Sequence, residues 1–416
     1  MITSVPGFVA GGLASGIKSS GAPDLSMVAT TDHRPVAAAG VFTTNLVAAA
    51  PVQVSRRHLV DGHAAAVVLN SGNANAATGD AGRADALRMC ELTAASLGCA
   101  TTDVLVCQTG LIGIPMPMAP VEAGIPLLGA QLSADAAGGL AAADAMLTTD
   151  TIRKQTLVEL DLPPLPFSHG GGSPFSHGGG SPVTITVGGM AKGAAMLAPA
   201  MATMLAVLTT DVAVEPDALQ VLLQGAVAGS FNALVVDACT STNDTVLVLA
   251  NGAAGNETIT RDSGPAFHLL GEALTAACKD LAHQMAADAE GATKLVALTV
   301  RGARTAADAQ RAARTVASSQ LVQCSLYGQD PYWGRVLSEL GVSGAWFDPE
   351  RVDIAYQGIT VCRDGIACEH DAAALAERMA ERDIEIVCDL RTGHGETTML
   401  FTDLTHAYVD ENMGTS

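Results

Sequence analysis

Positive charge is scarce in this chain: 22 Lys and Arg stand against 42 Asp and Glu, a formal net charge of −20. That deficit argues against a nucleic-acid partner, whose phosphates attract Lys and Arg. It says little about a small zwitterionic substrate, because one local cation can dominate a site. Aromatic residues make up only 3%, so Ala, Val and Leu must fill any core. The nine cysteines, at 90, 99, 107, 239, 278, 324, 362, 368 and 388, are odd in number and lack CxxC spacing. They read as reduced, mostly buried thiols of a cytoplasmic protein, with no metal or disulfide role. The N-terminus, Met1 to Phe8, has no basic segment and is broken by Pro6 and Gly7. A signal peptide is not expected.

What is abundant is apolar residue and glycine. Hydrophobic residues reach 49% of 416, enough for more than one core, so two domains are expected. Short β-branched runs predict strands at Ala64–Asn70, Thr102–Gln108, Val183–Val187, Val246–Leu249, Lys294–Val300 and Ile384–Leu390. Ala-rich stretches predict helices at Ala81–Leu97, Ala200–Leu208, Pro216–Ser230, His268–Ala287, Thr305–Ser319 and Ala372–Arg382. The pattern is α/β, with a larger domain over 1–301 and a smaller one over 302–416, divided near Gly302. One low-complexity feature interrupts it. Phe-Ser-His-Gly-Gly-Gly-Ser-Pro is repeated at 167–174 and 175–182, after a Pro-rich lead from Leu162. Gly triplets hold no fixed geometry, so 162–182 reads as a flexible exposed loop and not a site where His169 and His177 hold metal.

Residues 193–210 carry no charge, between Lys192 and Asp211. A transmembrane helix needs about 20 apolar residues, but Pro199 and the absence of basic flanks argue against one. A buried core helix is the plainer reading. A chemical one also exists, because Thr203 follows the small Ala202. Its hydroxyl can attack the Ala202 carbonyl and move that peptide bond onto oxygen for hydrolysis. Thr203 would then be a new N-terminus whose α-amine serves as general base, its reference pKa being about 8.

The segment carries Lys192-Gly193, Met196, Pro199, Ala202-Thr203-Met204-Leu205 and Thr209-Thr210-Asp211. With these go Gly16-Ile17-Lys18-Ser19-Ser20-Gly21, Leu69 to Ala76 (LNSGNANA), and Thr109-Gly110-Leu111-Ile112-Gly113. Ser241-Thr242-Asn243-Asp244-Thr245, Asp288 to Lys294 (DAEGATK) and Gly328 to Arg335 (GQDPYWGR) follow. Across nearly the whole chain this resembles the ornithine acetyltransferase family, also called the bifunctional glutamate N-acetyltransferase family of arginine biosynthesis. The resemblance implies a two-domain α/β fold, self-cleaved between Ala202 and Thr203 and assembled as α2β2. It implies ping-pong transfer of acetyl from N2-acetyl-L-ornithine to L-glutamate through Thr203, with no metal, cofactor or membrane. Acetyl-CoA stays open as a second donor.

By the same resemblance, Thr109 and Gly110 form the oxyanion hole. Without it, Thr-Gly after a strand is a common turn. Substrate binding falls to Thr148, Lys192, Thr203, Glu290, Asn412 and Ser416. Lys192 suits an α-carboxylate and Glu290 the δ-amine of ornithine; read alone, they are a surface lysine and a helix-terminal carboxylate. The chain departs from the family pattern at Ala200, Tyr332, Gln323-Cys324 and in a shortened tail. Other readings are a processed homologue with a different acceptor and an unprocessed, non-catalytic scaffold.

Overall fold

The computed structural model describes residues 1–163, 182–197 and 204–413. They divide into two compact units. One contains residues 1–193, 204–231 and 241–282, and the other 194–197, 232–240 and 283–413.

The first unit is built on two sheets. A four-stranded sheet runs in the order Phe8–Leu13, Leu25–Thr30, Ala66–Asn73, Val104–Leu111. Its first three strands are antiparallel and its last pair is parallel. A six-stranded sheet runs His63–Ala64, Val36–Phe42, Thr245–Ala250, Leu205–Thr210, Val183–Lys192, Lys154–Leu162. One core fills the space between the sheets: Phe8, Val28, Leu69 and Leu105 from the first meet Met190, Leu205, Val207 and Leu247 from the second. Helices close both outer faces. Gly79–Leu97 and Met118–Gly129 supply Ala86, Met89, Val121 and Ile125 against Met27, Val68 and Val106. On the six-stranded sheet, Gln220 of helix Pro216–Ala228 bonds both backbone groups of Gly40, and Leu281 of helix Pro265–Ala287 lies over Gly189. Successive side chains in a strand face opposite ways, so Met190 points inward where Gly189 accepts the helix.

Small side chains make these layers thin. Helix Ala136–Ala145 approaches so closely that a Cβ on Gly12 would sit 2.1 Å from the Ala141 carbonyl oxygen. A chain poor in aromatics fills its core by bringing backbones together.

The second unit has a seven-stranded sheet in the order Leu234–Val235, Gly395–Thr402, Leu295–Ala303, Asp383–Asp389, Asp353–Tyr356, Ile359–Arg363, Ile366–Ala367. Helices Ala306–Ala317, Trp333–Val342 and Ala372–Met379 bury Ala309, Ala313, Leu340, Leu375 and Met379 against Val296, Leu298, Ile354 and Ile386.

The α/β architecture agrees with the sequence, and all six expected strands are present. Of the helix expected over Ala200–Leu208, residues 200–203 lie outside the described residues. Residues 205–208 belong to a strand, a correction with a clear cause. Leu205–Thr210 is paired on both sides and buried throughout, and periodicity cannot tell such an apolar run from a buried helix. Gly302, near which the sequence suggested a division into two domains, does not lie between elements. It lies inside Leu295–Ala303 with φ +68°, where the register slips against Gly395–Thr402. It is a bulge glycine, and the units divide at Ala282/His283. The duplicated 167–182 loop falls outside the described residues except at Pro182.

Packing in the second unit gives a paired test. The Tyr356 hydroxyl is fully buried and without a partner among the described residues. Tyr356→Phe should keep or raise the unfolding free energy, by up to about 1–3 kcal/mol, because it removes an uncompensated polar group. Leu298→Ala should cost about 2–5 kcal/mol. Urea unfolding of both variants checks the pair.

Candidate active site

The sequence-derived residues of the first unit converge at one end of its two sheets. Strand Val104–Leu111 of one sheet ends here, as does Val183–Lys192 of the other, and Leu205–Thr210 and Thr245–Ala250 begin here. Thr109 and Gly110 are still within their strand, opposite Ser71 and Gly72 of the parallel neighbour; they are not in a turn beyond it. Gly110 has φ +135°, and a Cβ there would lie 2.2 Å from the Gly72 carbonyl carbon. Only glycine fits this approach. Thr109 is buried, and its Oγ1 accepts a long 3.5 Å hydrogen bond from Lys192 Nζ. With an ammonium donating to its oxygen, the Thr109 hydroxyl turns its own proton elsewhere.

Lys192 ends its strand almost wholly buried, which sets aside the surface-lysine reading. The residue that organises it is Asp150, third in Thr148-Thr149-Asp150. Asp150 Oδ1 accepts from Lys154 Nζ at 2.7 Å and from Gly193 N at 2.6 Å. Its Oδ2 accepts from Thr148 N at 3.1 Å, with Lys192 Nζ at 3.8 Å. Thr148 is thereby joined to Lys192 through a shared carboxylate. The sequence alone did not single out Asp150. The available signal was an acid four residues before Lys154 in a chain short of lysine. Lys18 stands nearby, donating to the Leu147 carbonyl at 2.6 Å.

The Asp150 and Lys154 side chains are fully buried. Burial alone would raise the Asp150 pKa, but the Lys192 and Lys154 charges and the Lys154 and Gly193 hydrogen bonds outweigh it. The net effect is a pKa held at about 2.

In the second unit, Glu290 is buried and accepts from Asn412 Nδ2 at 2.8 Å. Its backbone N–H donates to the Ala194 carbonyl at 3.0 Å. The expected C-terminal tail forms helix His406–Glu411, capped by Thr405, whose hydroxyl also donates to the Gly291 carbonyl at 2.7 Å. Asp237, which sequence reasoning missed, accepts from Tyr408 Oη at 3.2 Å and from Met196 N at 2.5 Å. Met196 (φ +53°) and Ala238 (φ +57°) are both in the left-handed region, a strain that tends to collect at functional sites. Thr109, Gly110, Thr148 and Lys192 are thus together in one unit, and Glu290 and Asn412 in the other. Ala202, Thr203 and Ser416 lie outside the described residues, as does Ala200. No group of His, Cys, Asp and Glu able to hold a metal occurs among the described residues.

The charge cluster yields a pH test. A carboxylate depressed to about 2 contributes stability that is complete above its unfolded value near 4 and is lost as pH falls toward 2. Asp150→Asn should therefore lower the unfolding free energy by about 3–5 kcal/mol at neutral pH. The gap from wild type should narrow between about pH 4 and 2, read by urea unfolding across that range.

Residues 9–414 match the ArgJ family. The chain is 44% identical over 411 residues to the arginine biosynthesis bifunctional protein ArgJ of Symbiobacterium thermophilum, covering 99% of this chain and 97% of that protein. It is 43% identical over 416 residues to the ArgJ protein of Mycobacterium tuberculosis H37Rv, with 99% and 95% covered. A crystal structure of Bacillus halodurans ArgJ aligns at 35% identity and a TM-score of 0.49, over 50% of this chain and 98% of that one. One of the M. tuberculosis ornithine acetyltransferase complexed with ornithine aligns at 37% and 0.39, over 48% and 94%. On its match over nearly the full length, this chain belongs to the ArgJ family.

Proposed function

We propose that this protein is a glutamate N-acetyltransferase of arginine biosynthesis, moving acetyl from N2-acetyl-L-ornithine to L-glutamate through an ester on Thr203. The observation that carries the reading is the placement of Thr109, Gly110 and Lys192 at the strand ends from which Leu205–Thr210 starts, directly after Thr203-Met204. Family membership supplies the reaction class.

In this reading the chain first cuts itself. Thr203 Oγ attacks the Ala202 carbonyl carbon, the C–N bond breaks, and the hydroxyl proton passes to the departing nitrogen. Water then hydrolyses the ester, leaving Thr203 with a free α-amine. In turnover that amine takes the proton from Oγ as Oγ attacks the acetyl carbonyl of acetylornithine. Charge growing on the carbonyl oxygen meets the Thr109 hydroxyl and the Gly110 N–H, donors fixed before the reaction begins. The amine returns the proton to ornithine as it leaves, and glutamate reverses the sequence. Lys192 pairs with the substrate α-carboxylate, and Thr148 and Thr203 complete that side. Glu290 attracts the δ-ammonium of ornithine, and the family's pattern adds Asn412 and Ser416 to substrate binding. Acyl transfer of this kind balances without redox change, so no cofactor or metal is part of the reading, and acetyl-CoA is not either.

The two products stay together in this proposal because the strands before and after the cut are partners in one sheet. Strand Val183–Lys192, before the bond, pairs antiparallel with Leu205–Thr210, after it. That supports a joined αβ pair, which we extend to α2β2 on the family's pattern. All nine cysteines are free, in keeping with a reducing, cytoplasmic setting. No helix among the described residues is long and apolar enough to cross a membrane.

The test is the denatured mass of the purified protein beside Thr203→Ala. Fragments 1–202 and 203–416 are expected from the wild type and a single intact chain from the variant. An uncut wild type would move the scaffold reading ahead. Thr109→Ala should lower kcat by about 10²–10³ for acetylornithine and glutamate, measured on cleaved enzyme; an unchanged kcat removes Thr109 from the oxyanion hole.

A further inference from the structure

The segment Ser241-Thr242-Asn243-Asp244-Thr245 has no part in the mechanism above, yet two of its neighbouring residues grip both halves of the site. Asn243 is buried, and its Nδ2 donates to the Gln108 carbonyl at 2.8 Å and the Ala74 carbonyl at 2.6 Å. The Gln108 carbonyl belongs to the peptide unit whose nitrogen is that of Thr109. Asp244 is fully buried, and its Oδ1 accepts from Met204 N at 2.9 Å. That nitrogen is bonded to the carbonyl carbon of Thr203. The backbone reinforces the second grip, with Thr245 N donating to the Met204 carbonyl at 3.1 Å.

We propose that Asn243 and Asp244 are a pair of positioning residues that hold the Gln108–Thr109 peptide of the oxyanion donor and Met204, which follows the nucleophile in the sequence, in a fixed relation. The proposal rests on the acetyltransferase reading and deepens it.

Several observations support a bracket tuned for geometry. Asn243 and Asp244 are consecutive, so one short backbone unit spans from the four-stranded sheet to the six-stranded sheet. Asn243 is itself locked: its Oδ1 accepts from Thr242 Oγ1 at 2.5 Å, and its N–H donates to Ser241 Oγ at 3.0 Å. Gln108, whose carbonyl Asn243 holds, is anchored by its side chain too. Its Nε2 donates to Asn70 Oδ1 at 2.7 Å and its Oε1 accepts from Asn75 Nδ2 at 2.8 Å. Asp244 acts through shape more than charge. Burial raises its pKa well above the usual carboxylate range, against the opposing pull of the Met204 N–H, the Ser241 hydroxyl and the Lys192 charge. One well-placed acceptor is all that the Met204 contact requires. Displacing either reacting group by about 1 Å can cost a hundredfold in rate, which makes rigid spacing between them valuable.

The experiment compares Asn243→Ala, Asp244→Ala and Asp244→Asn with the wild type, each normalised to cleaved chain and checked by circular dichroism and a cooperative melt. Steady-state kcat and KM are measured with acetylornithine and glutamate. Asn243→Ala and Asp244→Ala are expected to lose about tenfold or more in kcat with KM changed by no more than about threefold. Asp244→Asn, which keeps the acceptor and the volume, should stay within about threefold of wild-type kcat. If an alanine variant fails to fold, Asp244→Asn decides: near-wild-type kcat supports the bracket, and a loss of tenfold or more overturns it. Wild-type kcat in the folded alanine variants, or a loss confined to KM, also overturns it. A wild type that transfers no acetyl overturns the acetyltransferase reading first, and the bracket with it.

Discussion

The antiparallel pairing of Val183–Lys192 with Leu205–Thr210 is the constraint on which the rest of the site depends. It fixes Lys192 against Leu205, so the cation at the end of one strand stands beside the beginning of the next. The parallel neighbour Thr245–Ala250 then brings Asp244 to Met204, because its first residue pairs with Leu205. Register in a sheet buried on both faces is strongly specified, since a slip of one residue turns every side chain to the wrong side. The site inherits its precision from that register.

The second determinant is the handling of buried charge. Asp150 and Lys154 are removed from water together, and Lys192 is drawn in at 3.8 Å. Isolated charges could not be buried this deeply. Because Asp150 also holds Gly193 N, one carboxylate orients the cation and the backbone turn that leaves the strand. The second unit repeats the device with Asp237, which joins Tyr408 of the last helix to the backbone of Met196.

Much of this was legible in the sequence, for uneven reasons. Strands such as Val104–Leu111 declare themselves because β-branched and apolar residues stand between turn signals, and Gly110 marks a place where only glycine can sit. Lys192, Glu290 and Asn412 were singled out through the family resemblance; taken singly, each is an ordinary polar residue. Leu205–Thr210 was misread because a strand buried on both faces shows no alternation. Gly302 was read as a boundary because a bulge glycine and a glycine between domains look alike in sequence. The roles of Asp150, Asp237 and Asn243 could not be read from pattern, although Asp150 stands four residues before Lys154 and Asn243 lies in a motif. Their value lies in which backbone group they touch, and that is set by residues about 40 to 170 positions away.

The shared sheet has a consequence for how the mature protein can be lost. An uncut chain that unfolds keeps its two sheet halves tethered, and refolding is a first-order search. With the bond before Thr203 broken as proposed, Val183–Lys192 and Leu205–Thr210 would belong to separate polypeptides, and re-forming that seam of the sheet would become a second-order encounter whose rate falls with dilution. The working enzyme would then be protected by the height of its unfolding barrier and not by its ability to refold. Self-cleavage in such a fold is a one-way passage from a reversible protein to a kinetically trapped one.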